Sequence, residues 1–119
     1  MKKQLILAIA LLVTVFSFAQ KKEVKALEKA VNKNNYAEAK SLITQLEPMI
    51  GSMDDKLKDK YYLAAANAYF ANGTSSAEDV LKATTLLDKV TENNSDVTVL
   101  RQDIENDLLT KANGFFTTK

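Results

Sequence analysis

The chain has no cysteine, no histidine and no tryptophan among its 119 residues, and only one proline and three glycines. Without cysteine there is no disulfide framework, so packing alone must hold the fold. The joint absence of cysteine and histidine removes the common zinc ligands and the Cys–His and Ser–His nucleophile pairs. It also removes the one side chain that titrates near neutrality unperturbed. The expectation is a protein that is not an enzyme and holds no metal and no cofactor. An excess of one charge is missing too, since 16 basic side chains face 15 acidic ones, and Arg101 is the single arginine. Nucleic-acid recognition needs clustered Lys and Arg, and bidentate phosphate clamps need Arg. Neither is expected here, nor is an anionic-membrane surface. Asp54, Asp55 and Asp59 lack the alternating oxygen ligands of a calcium loop, and read as caps and solvated face.

One long hydrophobic run is present, and it lies at the start. Met1-Lys2-Lys3 is basic, Leu5 to Phe18 is almost wholly apolar, and Ser17-Phe18-Ala19 places small residues at the first and third positions before Gln20. That is the pattern of a Sec-type signal peptide cut between Ala19 and Gln20, the run being short for a spanning helix. A permanent N-terminal anchor is the alternative. The expected division is a leader over residues 1–19 and one domain over 20–119, exported to the periplasm or secreted, with no membrane insertion after the cut. A hundred residues suit one domain or a short repeat array. Losing Lys2 and Lys3 leaves 14 basic side chains against 15 acidic ones.

In that region apolar positions recur every three or four residues, the helical period, and not every two. Val24, Leu27, Ala30 and Val31 line a first helix over about Lys21–Lys33, which Asn34-Asn35 ends, since Asn tolerates the left-handed conformation. Tyr36, Ala39, Leu42, Ile43 and Leu46 form the stripe of a second, stopped or bent by Pro48 and Gly51. Asp54 or Ser52 caps the third. There Leu57, Tyr61, Ala64, Ala65 and Ala68 make one stripe, and Tyr62, Ala66, Tyr69 and Phe70 an adjacent one. A helix apolar on two sides belongs between neighbours. A fourth runs from about Ser76 to Glu92 with Val80, Ala83, Leu86, Leu87 and Val90 inward. Val97, Leu100, Ile104, Leu108, Ala112 and Phe115 carry a fifth. Short polar loops between helices predict antiparallel hairpins and an all-α domain.

The chain also repeats itself. Ala39-Lys40-Ser41-Leu42-Ile43-Thr44-Gln45-Leu46 matches Ala83-Thr84-Thr85-Leu86-Leu87-Asp88-Lys89-Val90 in residue class, 44 positions on. Ala66-Asn67-Ala68-Tyr69-Phe70 is echoed by Ala112-Asn113-Gly114-Phe115-Phe116 at an offset of 46. Self-similarity of this kind marks a stacked helical array. With Ala39-x-x-x-Ile43-x-x-Leu46, Ala83-x-x-x-Leu87-x-x-Val90, Ala66-x-x-Tyr69 and Ala112-x-x-Phe115, the chain resembles the tetratricopeptide repeat family, a helix–turn–helix unit of about 34 residues. It departs from that family in its longer spacing, and in Leu27 where a small residue is usual.

The resemblance implies about five helices after the leader, stacked as antiparallel hairpins in a short right-handed superhelix. It implies a scaffold that binds a partner protein or peptide non-covalently, in a groove lined by the first helix of each unit. Carried over by position, the groove residues are Lys60, Leu63, Asn67 and Phe70, then Asn106, Leu109 and Asn113. A structural spacer or self-association module at the start of a larger cell-envelope protein is the alternative. Leu108, Leu109, Phe115 and Phe116 crowd the last dozen residues, so the last helix is expected either to cap the array or to meet more chain or a second copy, as a homodimer.

Overall fold

The computed structural model describes residues 19–117, with side chains through residue 112. No strand is present among the described residues. Five α-helices follow one another: α1 through 19–32, α2 (Tyr36–Leu46), α3 (Asp55–Phe70), α4 (Ala77–Leu87) and α5 (Ser95–Thr117). The apolar run expected to be a leader falls on residues 1–18, outside the described residues. Ala19 and Gln20, on either side of the expected cut, are helical, and the Gln20 amide donates to the Ser52 hydroxyl at 2.6 Å. No described helix is long and apolar enough to cross a membrane.

Asparagine makes the first hairpin. Asn34 takes a left-handed φ of 58°, its N–H donates to the Val31 carbonyl, and the Asn35 N–H donates to the Ala30 carbonyl. This paired arrangement satisfies the carbonyls left open at a helix end. Asn35 then caps α2, its Oδ1 accepting from the Glu38 N–H while its Nδ2 donates to the Glu38 carboxylate. Two residues thus end one helix and begin the next. The α2 helix ends at Leu46, two residues before Pro48. The chain tightens into a 3₁₀ turn over Glu47–Ser52 with the proline at its start, where a missing N–H costs nothing. Asp54, not Ser52, caps α3 by accepting from the Leu57 N–H at 2.8 Å.

Two hydrophobic clusters meet at α3. The first joins Val24, Leu27 and Ala30 of α1, and Ala39, Ile43 and Leu46 of α2, to Leu57, Tyr61, Ala64, Ala65 and Ala68. The second joins Ala66 and Phe70 to Val80, Ala83 and Leu87 of α4 and to Val97, Leu100 and Ile104 of α5. The third helix is therefore two-sided, as its sequence predicts. Ala39 and Ala83 are both 0 % exposed, which is what a small residue at a close helix crossing requires.

The α4 helix is shorter than its sequence suggests, ending at Leu87 rather than near Glu92. The cause is Asp59 of α3. Its carboxylate accepts from the Thr91 N–H at 2.9 Å, the Thr91 hydroxyl at 2.8 Å and the Glu92 N–H at 3.2 Å. Those three bonds hold residues 91–92 in non-helical backbone, and Asn94 then caps α5 through the Val97 N–H. Desolvation alone would raise the Asp59 pKa, but the Thr91 and Glu92 donors outweigh it and hold the carboxyl below its usual value.

Candidate functional site

The odd-numbered helices share a concavity. It is a hollow of about 440 Å³ walled by Glu28, Val31 and Asn32 of α1, by Lys60, Leu63, Ala64 and Asn67 of α3, and by Asp96, Val99, Leu100 and Asp103 of α5. The residues that face it keep one register. Glu28, Ala64 and Leu100 stand 36 positions apart, and so do Val31, Asn67 and Asp103. Short loops send α2 and α4 back behind this surface, so α1, α3 and α5 alone supply it. Its floor is apolar, with Leu63 half-buried, Leu100 buried and Val99 56 % exposed.

Each end has its own chemistry. Toward the start of α3 the hollow runs into a second one of about 390 Å³, with which it shares Glu28 and Lys60. Lys21 and Lys25 of α1 and Lys56 and Lys60 of α3 face that second space, beside Glu28 and Asp54. Among the described residues none of these four ammonium groups lies within ion-pair distance of a carboxylate. Toward the end of α3 the groove continues into a third space lined by Asn32, Asn34, Asn67, Asn72, Phe70 and Asp103. There the amides can exchange hydrogen bonds with a peptide backbone. The Asn67 Nδ2 already donates to the Leu63 carbonyl at 3.1 Å, which leaves its Oδ1 as the free acceptor.

Of the seven residues placed in the groove by resemblance, Lys60, Leu63, Asn67 and Phe70 line these connected spaces. Phe70 does so with most of its ring in the second core, at 7 % exposure. Asn106 is exposed and Leu109 is 61 % exposed, and neither lines the spaces just described. The Asn113 side chain lies outside the described residues. Across from Lys60, Leu63 and Asn67 stand Asp96, Val99 and Asp103, which sequence comparison missed. The Ala-Asn-small-aromatic echo pairs positions 46 apart, whereas the groove pairs positions 36 apart, where lysine faces aspartate, asparagine faces aspartate, and only the apolar pairs Leu63–Val99 and Ala64–Leu100 share a class. Within α1, Glu28, Val31 and Asn32 were missed for a similar reason. Val31 is legible as core, and the other two are unremarkable polar residues until the groove is seen.

Tyr36 lines the third space, but the other tyrosines belong elsewhere. Tyr61 is buried and meets Tyr62 edge-on, with ring centroids 5.4 Å apart. Burial, and then the nearby Glu47 carboxylate, push its phenol well up, so it stays protonated at any ordinary pH. The Lys40 and Lys82 ammonium groups lie 5.4 and 4.7 Å from the Tyr69 ring centroid, and they come from α2 and α4. Asp54 and Asp59 are likewise occupied, as a cap and as the anchor of residues 91–92. Comparisons of the chain with protein-family models, with curated proteins and with solved structures return no match.

Proposed function

We propose that the chain is an exported scaffold that holds a segment of a partner protein, without covalent chemistry, in the groove of α1, α3 and α5. One observation carries this reading: the 36-residue register in which three successive odd-numbered helices face a single concavity. That spacing lies near the roughly 34-residue unit of tetratricopeptide repeats, nearer than the 44 and 46 positions of the sequence echoes. A stack of helix pairs offers such a continuous inner surface because each pair packs only on its neighbours. The groove is preformed, so a peptide would meet little ordering cost on the protein side. Export rests on the basic start, apolar run and small-residue cut at the N-terminus, and places the partner in the periplasm or outside the cell.

Two exposed apolar residues give a matched test. Val99 lies in the groove and Leu81 on α4 outside it, and each is 56 % exposed. In capture experiments with the purified protein and a native cell-envelope extract, Val99→Arg should lose the partner while Leu81→Arg keeps it. Equal capture by both variants would remove the groove from consideration. Capture of nothing but the protein's own copies, seen as a dimer in sedimentation, would favour a self-association module.

A further inference from the structure

We infer that the groove selects a segment whose charge runs along its length, acidic where it meets the start of α3 and basic where it meets the middle of α5. This rests on the groove being the binding face and adds the chemistry of what it takes. At one end Lys21, Lys25, Lys56 and Lys60 converge on one hollow without a carboxylate partner among the described residues. Two acids, Glu28 and Asp54, share that hollow, and Asp96 stands across the groove from Lys60, so four lysines face three carboxylates. The surplus there is positive. Farther along, Asp103 lines both remaining spaces, and it too has no Lys or Arg within ion-pair distance among the described residues. The surplus there is negative. Between the two lies the apolar floor of Leu63, Val99 and Leu100.

Charges left unpaired on facing walls of a groove cost little in water and select a ligand of complementary pattern, because a like-charged segment is repelled at both ends. Length follows from the helix. From Lys56 to Phe70, α3 rises about 21 Å at ~1.5 Å per residue. An extended chain covers that distance in about six or seven residues at ~3.3 Å each. The occupant is therefore a short extended peptide with glutamate or aspartate at one end, an aliphatic residue at its centre and lysine or arginine at the other. The Asn32 amide and the Asn67 Oδ1 would meet its backbone.

The test uses defined probes. Two fluorescein-labelled heptapeptides, one for each chain direction, carry two glutamates at one end, a central leucine and a lysine at the other. Companion peptides replace the glutamates with glutamine or with lysine. Anisotropy titration against the purified protein should show one direction of the charged peptide binding about tenfold tighter than its glutamine version, with an affinity that falls as salt rises. Lys56→Glu combined with Lys60→Glu should abolish that preference and transfer it to the lysine-bearing companion. Both lysines are exposed, so the reversal leaves the core alone, and thermal melting checks the fold. Equal affinity for the charged and glutamine peptides, or binding by none of them, overturns the proposal. Neither result bears on the groove as a binding face, which is decided by capture with Val99→Arg.

Discussion

At the residue scale, the informative side chains are those whose role a linear reading misassigns. Asp59 reads as one of three acids on a solvated face, yet it ties α3 to residues 91–92 through three accepted hydrogen bonds. Asp59→Ala should cost about 1 kcal/mol at neutral pH, a figure kept low because the carboxylate is partly solvated. Because the folded pKa is depressed, the contribution is complete above the unfolded value and fades as pH falls through the folded one. Urea titrations at pH 7 and near pH 3 should therefore find wild type and Asp59→Ala well separated at the first and closer at the second. A constant gap would mean that the carboxylate's charge is irrelevant. Ala71 makes the opposite case. It ends α3 with φ 48° and ψ 44°, a left-handed conformation that costs an L-residue roughly 1–2 kcal/mol. Glycine avoids that strain but gives up a buried methyl, worth about 0.8 kcal/mol, and chain entropy. Ala71→Gly should therefore leave stability within about 0.5 kcal/mol of wild type, where an unstrained buried alanine would lose more than about 1 kcal/mol; the urea midpoint decides. Gly73, two residues on at φ 82°, needs the freedom that Ala71 lacks; an added Cβ would also come within 3.3 Å of the Asp107 carboxylate.

At the element scale, the helices were legible because their apolar spacing and their caps agree. The Asn34-Asn35 turn, the Asp54 cap and the two stripes of α3 all follow from local chemistry that the sequence displays. The end of α4 was not legible, because Lys89-Val90-Thr91-Glu92 continues a helical pattern and only a carboxylate from another helix draws it away. Small residues at the crossings are the strongest test at this scale. Ala39 and Ala83 are fully buried, one in each cluster. Ala39→Leu and Ala83→Leu should each cost ~1–3 kcal/mol through overpacking. The two sites share no cluster, so the double variant should lose the sum to within a few tenths of a kcal/mol. A neutral effect at either position in denaturant titration would mean that the helices do not approach closely there.

At the scale of the whole molecule, α3 is the common wall of two cores and also the middle of the groove. One helix therefore links stability to the inner surface: its buried faces fix where Lys60, Leu63 and Asn67 point. The groove itself was half legible. The resemblance to tetratricopeptide repeats singled out the α3 residues, because every first helix of such an array faces inward. It carried the α5 positions over at an offset of 46, to Asn106, Leu109 and Asn113, whereas the α5 residues that line the concavity stand 36 positions beyond those of α3. Apolar and small residues repeat where cores repeat, whereas groove residues are free to differ from unit to unit, so a class comparison registers the core and is blind to the surface. Within its described side chains α5 buries Val97, Leu100 and Ile104, turns Thr98, Gln102 and Glu105 outward, and leaves the apolar Val99 and Leu109 exposed.

The native absence of cysteine allows a direct test of the claim that α1, α3 and α5 form the binding face. Val31→Cys and Asp103→Cys would place thiols on opposite walls of the groove, and a bifunctional maleimide would then bridge its mouth. The same reagent joining Leu81→Cys to Thr85→Cys, both exposed one turn apart on α4, serves as the control. Partner capture, measured before and after bridging, should disappear in the first protein and persist in the second. Undiminished capture by the bridged groove would contradict the assignment.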